Sequence, residues 1–285
     1  MSPRRLRFLI RDSTSPQEAS HPWSCSAPSG YNVAVRIFSL EGKTALVAGA
    51  SRGIGLAIAR EMAAAGANVI LAARSQQELE ARAAEIGGRA LRLDVCDPES
   101  IAAAVDATGT PDILVNVAGM NIRKRFQDYT EEEYQRLFET NLHGIVRLTR
   151  AVGTRMIARG QGGKIVNIGA LASFVGLPYL SVYAMTKGAL AQMTKALAAE
   201  WGRYNIQVNC VAPGFIITDL NRKMWQSEEM RAWLRGCQAN PNPGTPEDVA
   251  PLAVYLAGRG ANYVTGQVIA VDGGYSTTAV WPFEP

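Results

Sequence analysis

The stretch TALVAGASRGIGLAIAREMAAA, residues 44–65, joins an apolar run to an amphipathic helical pattern through a turn holding three glycines. Thr44 to Ala48 is almost wholly apolar, the pattern of a strand buried on both faces. Beyond the turn, Ile54, Ile58 and Met62 recur four apart, so one face of the helix is apolar. Gly49, Gly53 and Gly55 occupy the connection. Glycine permits the tight turn and lets backbone amides approach a ligand, while the helix N-terminus offers unpaired N–H groups and a favourable dipole. The spacing is G-x-x-x-G-x-G rather than the common G-x-G-x-x-G. Such a turn can be purely structural, but after the first strand of a parallel sheet a nucleotide phosphate is the expected occupant.

Outward from this unit the alternation repeats. NVILAA (68–73), ALRLDV (90–95), DILVNV (112–117), KIVNI (164–168), IQVNCVA (206–212) and QVIAV (267–271) read as strands. Helical patterns fall between them at 76–86, near 98–107 and over a long tract, 130–158, with a further one carrying Tyr183. Near-continuous apolar strands alternating with helices require a parallel sheet covered on both faces. The expected fold is α/β, a single doubly wound domain over residues 39–285 with a seven-stranded parallel sheet.

In such a domain the end of the second strand meets the nucleotide ribose, and an acidic residue there accepts from the 2′-hydroxyl. Here that place is Ala73, followed by Arg74, and Arg52 lies in the glycine turn. Two guanidiniums without a carboxylate suit a 2′-phosphate, which they bind by charge-assisted hydrogen bonds. NADP(H) is the expected cofactor; the bland reading of Arg74 is a solvated helix-start residue.

KIVNIGALASFVGLPYLSVYAMTKG (164–188) follows its strand with a loop and a small-residue helix carrying Tyr183 and Lys187. Residues four apart share a helix face, about 5–6 Å apart at Cβ. A cation there favours tyrosinate, and a phenol of pKa ~10 needs such help to exchange protons near neutrality. Tyr-x-x-x-Lys occurs by chance in many helices, so its weight comes from the motifs around it.

Composition sets the bounds. The 285 residues are 47% hydrophobic and 19% charged, enough for a sizeable core. The net charge of +4 owes much to four arginines in the first 11 residues, and the body has no basic run suited to nucleic acid. No apolar run reaches the roughly 18 residues that span a bilayer. Cys25, Cys96, Cys210 and Cys237 show no paired spacing, and the only histidines are His21 and His143. Neither a metal site nor a disulfide framework is expected, and free thiols fit a reducing cytoplasm. Residues 1–38 are rich in Ser, Pro and Arg and are expected to form a disordered extension. A transit peptide, weakened by Asp12 and Glu18, and a true start near Val35 are the other readings.

With these residues assembled, the chain from about 40 to 276 resembles the short-chain dehydrogenase/reductase family, whose fold is Rossmann-type. Gly49, Gly53 and Gly55 match its glycine motif, with Ser51, Arg52 and Ile54 in the same cofactor-binding turn. Asp94-Val95 matches its adenine-contacting pair, and Asn116-Val-Ala118-Gly119 resembles its N-N-A-G. Asn141 matches the asparagine whose backbone carbonyl holds a proton-relay water, and Tyr183 and Lys187 match the catalytic Tyr-x-x-x-Lys. Pro213-Gly214-Phe-Ile216-Ile-Thr218 resembles the P-G-x-x-x-T that holds the nicotinamide carboxamide. The resemblance implies an oxidoreductase that moves a hydride between NADP(H) and a ketone or secondary alcohol. Tyr183 is then the general acid/base, and Lys187 binds the nicotinamide ribose and lowers the phenol's pKa.

One departure matters most. The family places a serine thirteen residues before the tyrosine, to hydrogen-bond the substrate oxygen; here that position is Ala170. Three readings compete: an engineered Ser→Ala change, Ser173 taking over the role, or a chain that binds nucleotide without turnover. Removing one transition-state donor costs about 10²–10³ in rate, so impaired turnover with retained cofactor binding is expected. Ala48 and Val117 stand where relatives usually carry Thr and Asn, and read as a structural swap in the bracing of the sheet.

Residues 219–243 fall where relatives carry a lid, with Met224, Trp225, Met230 and Trp233 either facing an apolar substrate or packing the lid down. GMNIRKRFQDYTEEEY (119–134) and VTGQVIAVDGGYS (264–276) look most like the sugar-acid branch, which includes gluconate 5-dehydrogenases. Arg123, Lys124 and Arg125 then attract a carboxylate, or form a solvated face. β-Ketoacyl carrier-protein reductases and broad ketone reductases are the open alternatives. The expected partner is a small carbonyl or alcohol substrate, with no nucleic acid and no membrane. The family also implies a homotetramer paired through the 130–158 tract and the Tyr183 helix, with the apolar ending Tyr275–Phe283 docked on a neighbour. The alternative function is a non-catalytic NADP(H)-binding sensor or structural protein, favoured by Ala170 alone.

Overall fold

Seven parallel strands lie in the order β3-β2-β1-β4-β5-β6-β7 in the computed structural model, which describes residues 37–219 and 221–278. They are β1 (Thr44–Ala48), β2 (Asn68–Ala73), β3 (Arg89–Arg92), β4 (Ile113–Asn116), β5 (Gly163–Ile168), β6 (Ile206–Pro213) and β7 (Val268–Val271). The expected extension, up to residue 36, and the tail from residue 279 lie outside the described residues.

The inner strands β1, β4 and β6 are buried on both faces because their side chains alternate between two cores, while the edge strands β3 and β7 are only partly covered. From β1, Ala45 and Val47 enter one core with α1 (Gly53–Ala64), α2 (Gln76–Ile86) and α8 (Pro246–Ala257). Leu46 and Ala48 enter the other with α3 (Pro98–Thr108), α5 (Gly144–Arg159) and α6 (Ser181–Trp201). Strand β1 pairs with β2 on one side and β4 on the other, so the order of connection reverses there. In open α/β sheets that reversal leaves a crevice beyond the carboxyl ends of the strands.

Three elements depart from the expected ones. The strand expected over 90–95 ends at Arg92, because Ser100 Oγ takes the Asp94 N–H and Asp97 N–H turns back on the Asp94 carbonyl. The single tract expected over 130–158 is α4 (Glu131–Phe138), a π turn (Glu139–His143) and α5. Thr130 starts it with a capping box to Glu133. Helix α8 follows no apolar signal strong enough to offset its two prolines. Pro246 sits in its first turn, where no N–H is needed, but Pro251 lies inside it. Among the described residues, no helix is long and apolar enough to cross a membrane.

Candidate active site

The crevice is shaped first by backbone. Gly49 has φ +98°, and a Cβ there would lie 2.6 Å from the Ala118 nitrogen. A Cβ on Gly55 would lie 2.1 Å from the Gly49 carbonyl oxygen. Only glycine allows these approaches, so the turn presses flat onto the end of β4. Gly53, at φ +55°, is open by contrast, with Thr218 Cγ2 3.6 Å from where its Cβ would stand. Helix α1 opens at Arg52 with no side-chain cap and no acidic residue in its first turn, so nothing competes for its leading amides. Ala48 O accepts from both Val117 N and Ala118 N at 2.9 Å, so backbone braces the ends of β1 and β4 against each other.

Beside this turn, which carries Ser51, Arg52 and Ile54, the structure brings Ala118 against Gly49 and Thr218 toward Gly53. Gly214 packs on Asp272, where a Cβ would lie 2.7 Å from Cα. Ile216 forms an isolated parallel bridge with Gly244, and Asn221 Oδ1 accepts the Thr218 N–H at 2.7 Å. Arg52 and Arg74 are exposed and have no ion-pair partner among the described residues. One Asp94 carboxylate oxygen accepts the Cys96 N–H at 3.0 Å, which leaves the other for a donor such as an adenine amine. Val95 is buried in the core, its carbonyl 2.3 Å from where a Gly144 Cβ would stand.

Asn116 is the exception among the implied cofactor contacts. Its Nδ2 donates to Thr149 Oγ1 at 2.9 Å and Asn167 Oδ1 at 2.8 Å, and Asn167 passes the chain on to Thr194 Oγ1 at 2.9 Å. The Asn116 Nδ2 braces β4, β5, α5 and α6, while its Oδ1 is buried and has no hydrogen-bond partner among the described residues. Asn167 and Thr194 went unnoticed in the sequence; the signal was a lone amide inside the apolar run IVNI.

At the carboxyl end of β5, Tyr183 stands in the first turn of α6 with Lys187 one turn on. Lys187 is 4% exposed, its Nζ donates to Ile168 O at 2.8 Å, and it lies 5.7 Å from the centre of the Tyr183 ring. Asn141 is fully buried in the π turn, where its amide clamps both backbone groups of Met120 at 2.8 Å. Gly119 lets Asn141 and Lys187 converge: its Cβ would stand 3.3 Å from Asn141 Oδ1 and 3.6 Å from Lys187 Nζ. π turns inside α-helices recur at functional sites.

Burial dominates the titration of the pair. It pushes the Tyr183 phenol up to about 12 and the Lys187 ammonium down to about 8. The direction for Tyr183 is opposite to the lowering expected from the Tyr-x-x-x-Lys spacing. The physical reason is that Nζ is aimed at the Ile168 carbonyl, so the loss of water around the phenolate outweighs a cation at this distance. Lys187 still carries its proton at neutral pH.

Ala170 offers no side-chain donor, and Ser173 does not replace one. Ser173 Oγ donates to Lys187 O at 3.1 Å and accepts the Ala170 N–H at 3.2 Å, which ties the loop to α6. Behind it, a Cβ on Gly169 would lie 2.7 Å from Cys210 Sγ and 2.8 Å from Ser173 Oγ, so the loop has no slack.

Helix α7 (Glu228–Arg235) and the turn Met224–Gln226 fall within the stretch 219–243 expected to form a lid. Trp225 is buried and Trp233 is half-exposed; both pack edge-on against Phe215, with ring centres 5.9 and 5.2 Å away. The lid tryptophans therefore serve packing first. Of the basic trio, Lys124 is held by Glu133 at 2.6 Å, while Arg123 Nη1 lies 3.8 Å from Met224 Sδ. Among the described residues, no cluster of His, Cys, Asp or Glu could hold a metal ion.

A crevice at the reversal of a parallel sheet, floored by close-packed glycines and ending in a half-buried tyrosine beside a buried lysine, is that of a dinucleotide-binding oxidoreductase. The chain belongs to the short-chain dehydrogenase/reductase family: the family model described as enoyl-(acyl carrier protein) reductase matches residues 49–276. It is 36% identical over 253 residues to the gluconate 5-dehydrogenase of Gluconobacter oxydans, covering 85% of this chain and 98% of that one. It is 38% identical over 242 residues to the 3-oxoacyl-(acyl-carrier-protein) reductase of Escherichia coli, covering 83% of this chain and 98% of that one. A solved gluconate 5-dehydrogenase from Burkholderia cenocepacia, in complex with NADP and tartrate, superposes with a TM-score of 0.81 at 34% identity, covering 86% of this chain and 100% of that one.

Proposed function

We propose that this chain moves a hydride between NADP(H) and a small ketone or secondary alcohol, with a sugar acid as the favoured substrate. The observation that carries the reading is the convergence of Lys187 and Asn141 on Gly119, with the centre of the Tyr183 ring 5.7 Å from Lys187 Nζ and a glycine turn whose helix amides are uncapped. Those amides suit the pyrophosphate, and the unpaired Arg52 and Arg74 suit the 2′-phosphate. Bound there, the cofactor supplies or receives the hydride. Tyr183, kept protonated by its burial, hands its proton to the oxygen of the reduced carbonyl; in the reverse direction it takes that proton back. Lys187, protonated at neutral pH, returns a proton to the phenolate left behind and then takes one from solvent by way of the polar groups at Asn141.

With Ala170 the carbonyl oxygen has one donor in place of two, which gives a slow enzyme. A second reading, a nucleotide-binding sensor, is supported by the one observation that Ser173 is fully engaged elsewhere. The test is NADPH oxidation against sugar-acid, β-ketoacyl and bulky ketones, with the chain and Ala170→Ser side by side. A rise in kcat of about 10²–10³ in the serine form supports the enzyme. No turnover in either form, with NADPH still bound, moves the conclusion to the sensor. Exposed Val146 on α5 and Met185 on α6 fit the homotetramer, which sedimentation tests.

A further inference from the structure

Between Tyr183 and Lys187 the sequence carries one further polar side chain, Thr186, in the second turn of α6, and it is fully buried. A helix interior gives threonine no advantage, since its χ1 is restricted and its hydroxyl competes for backbone groups. A buried hydroxyl also costs free energy unless it is hydrogen-bonded. This one is bonded twice: Oγ1 donates to Tyr183 O at 2.7 Å and accepts from Asn141 Nδ2 at 3.3 Å. Among the described residues, the second bond is the one side-chain hydrogen bond between the π turn and α6.

The direction of each bond is forced. A carbonyl oxygen only accepts and an amide NH₂ only donates, so the group that joins Tyr183 O to Asn141 must do both, as a hydroxyl does. Asn141 cannot turn its amide over to suit another partner. Its Oδ1 takes the Met120 N–H and its Nδ2 gives to Met120 O, each at 2.8 Å, and a flip would set oxygen against oxygen. Met120 follows Gly119, whose Cβ would stand 3.6 Å from Lys187 Nζ. The bonds therefore run from the backbone of Tyr183, through Thr186 and Asn141, to the loop that passes beside Lys187.

We propose that Thr186 is a positioning residue for the proton transfer: its hydroxyl fixes the first turn of α6, which carries Tyr183, against Asn141 and the loop beside Lys187. The inference rests on the hydride-transfer reading above, in which these three residues act together. Misplacing a reacting group by about 1 Å costs on the order of 10²-fold in rate. Loss of the hydroxyl therefore tells on turnover, while the glycine turn that receives the nucleotide is untouched.

Two substitutions divide the side chain. Thr186→Val keeps its shape and removes the hydroxyl; Thr186→Ser keeps the hydroxyl and removes the methyl. The full chain and both variants are assayed for NADPH oxidation with whichever ketone of the panel above the parent reduces fastest. NADPH affinity is read by fluorescence, and hydrogen exchange of the peptide holding Met120 by mass spectrometry. In Thr186→Val, kcat falls about 10- to 100-fold, NADPH affinity stays within a few-fold, and the Met120 amide held by Asn141 exchanges faster. Thr186→Ser keeps both kcat and exchange within a few-fold of the parent. Should Thr186→Val not fold, Thr186→Ala carries the same expectations. An unchanged kcat without the hydroxyl, or a loss in Thr186→Ser as large as in Thr186→Val, overturns the inference and leaves hydride transfer standing. So does a joint fall of kcat, NADPH affinity and melting temperature in Thr186→Val, which is the mark of a general structural role. If neither the parent nor Ala170→Ser reduces any ketone of the panel, the inference and the function fall together.

Discussion

On the nucleotide side of the crevice, main chain presses on main chain; on the substrate side, ring presses on ring. At Gly49 and Gly55 a single methyl group would collide with backbone atoms 2.6 and 2.1 Å away. Across the crevice, Phe215, Trp225, Trp233 and Tyr275 meet at ring centres 5.1 to 6.3 Å apart, held by side chains that can be exchanged. A surface made by backbone accepts almost no substitution and binds the part of the ligand that does not vary. A surface made by side chains can be rewritten without disturbing the sheet. Lys187 is anchored to the backbone of β5, its Nζ bonded to Ile168 O beside Gly119, with the centre of the Tyr183 ring 5.7 Å away.

The contrast can be broken most sharply at this pair. Tyr183→Phe removes the only phenol in the catalytic group and leaves both walls intact. We expect kcat to fall about 10²–10⁴-fold, with NADPH affinity within a few-fold of the parent by fluorescence titration. A variant that keeps its rate would shift the proton donor to another residue and undo the mechanism above.

A substitution on the rigid side sets the next scale. Gly55→Ala drives a methyl into the Gly49 carbonyl, so the turn must move. Overpacking costs typically 1–3 kcal/mol, and NADPH binding should weaken along with thermal stability. Loss of affinity at unchanged melting temperature would mean that the turn yields without strain. Arg74→Ala acts at the edge of the same wall. It should weaken NADPH by about tenfold and leave NADH unchanged, the signature of one guanidinium on a 2′-phosphate. Equal loss for both cofactors would assign Arg74 to the fold instead.

The same contrast explains what was legible in the sequence. Elements bounded by glycine and carried by strict periodicity, such as 44–48, 68–73 and 76–86, stand where the sequence placed them. Their boundaries are fixed locally, by chemistry within a few residues. What the sequence left unread depends on distant partners. Helix α8 forms despite Pro251 because Val249, Ala253, Leu256 and Ala257 complete the core over α1. The π turn at Glu139–His143 is set by Met120, which Asn141 must reach, and by Val95, against which Gly144 must close. Asn116 looked like a ligand contact because its motif borders the cofactor, but its amide turns inward to Thr149 and Asn167. The direction of the Tyr183 shift was missed for a similar reason: four residues of helix say that a lysine is near, not where its proton points.

That last point yields the smallest and most local prediction, a dependence of stability on pH. Lys187 titrates at about 8 in the folded chain, against 10.5 for the free group, so burial of its charge opposes folding. Between those values the unfolded chain binds more protons than the folded one, and stability rises with pH, by up to about 1.4 kcal/mol per unit. The cost is present in full below pH 8 and is relieved as pH climbs toward 10.5. Other groups move in the same range. Lys164, also lowered to about 8, adds to the rise, while Cys210, raised to about 11, and Tyr183, raised to about 12, oppose it at higher pH. The contribution of Lys187 is therefore read as a difference. Urea unfolding of the parent chain and Lys187→Met, measured from pH 7 to 9, should show the parent gaining on the variant as pH passes 8. Parallel curves would mean that Lys187 keeps its ordinary titration, with enough water at Nζ to hold its charge without penalty.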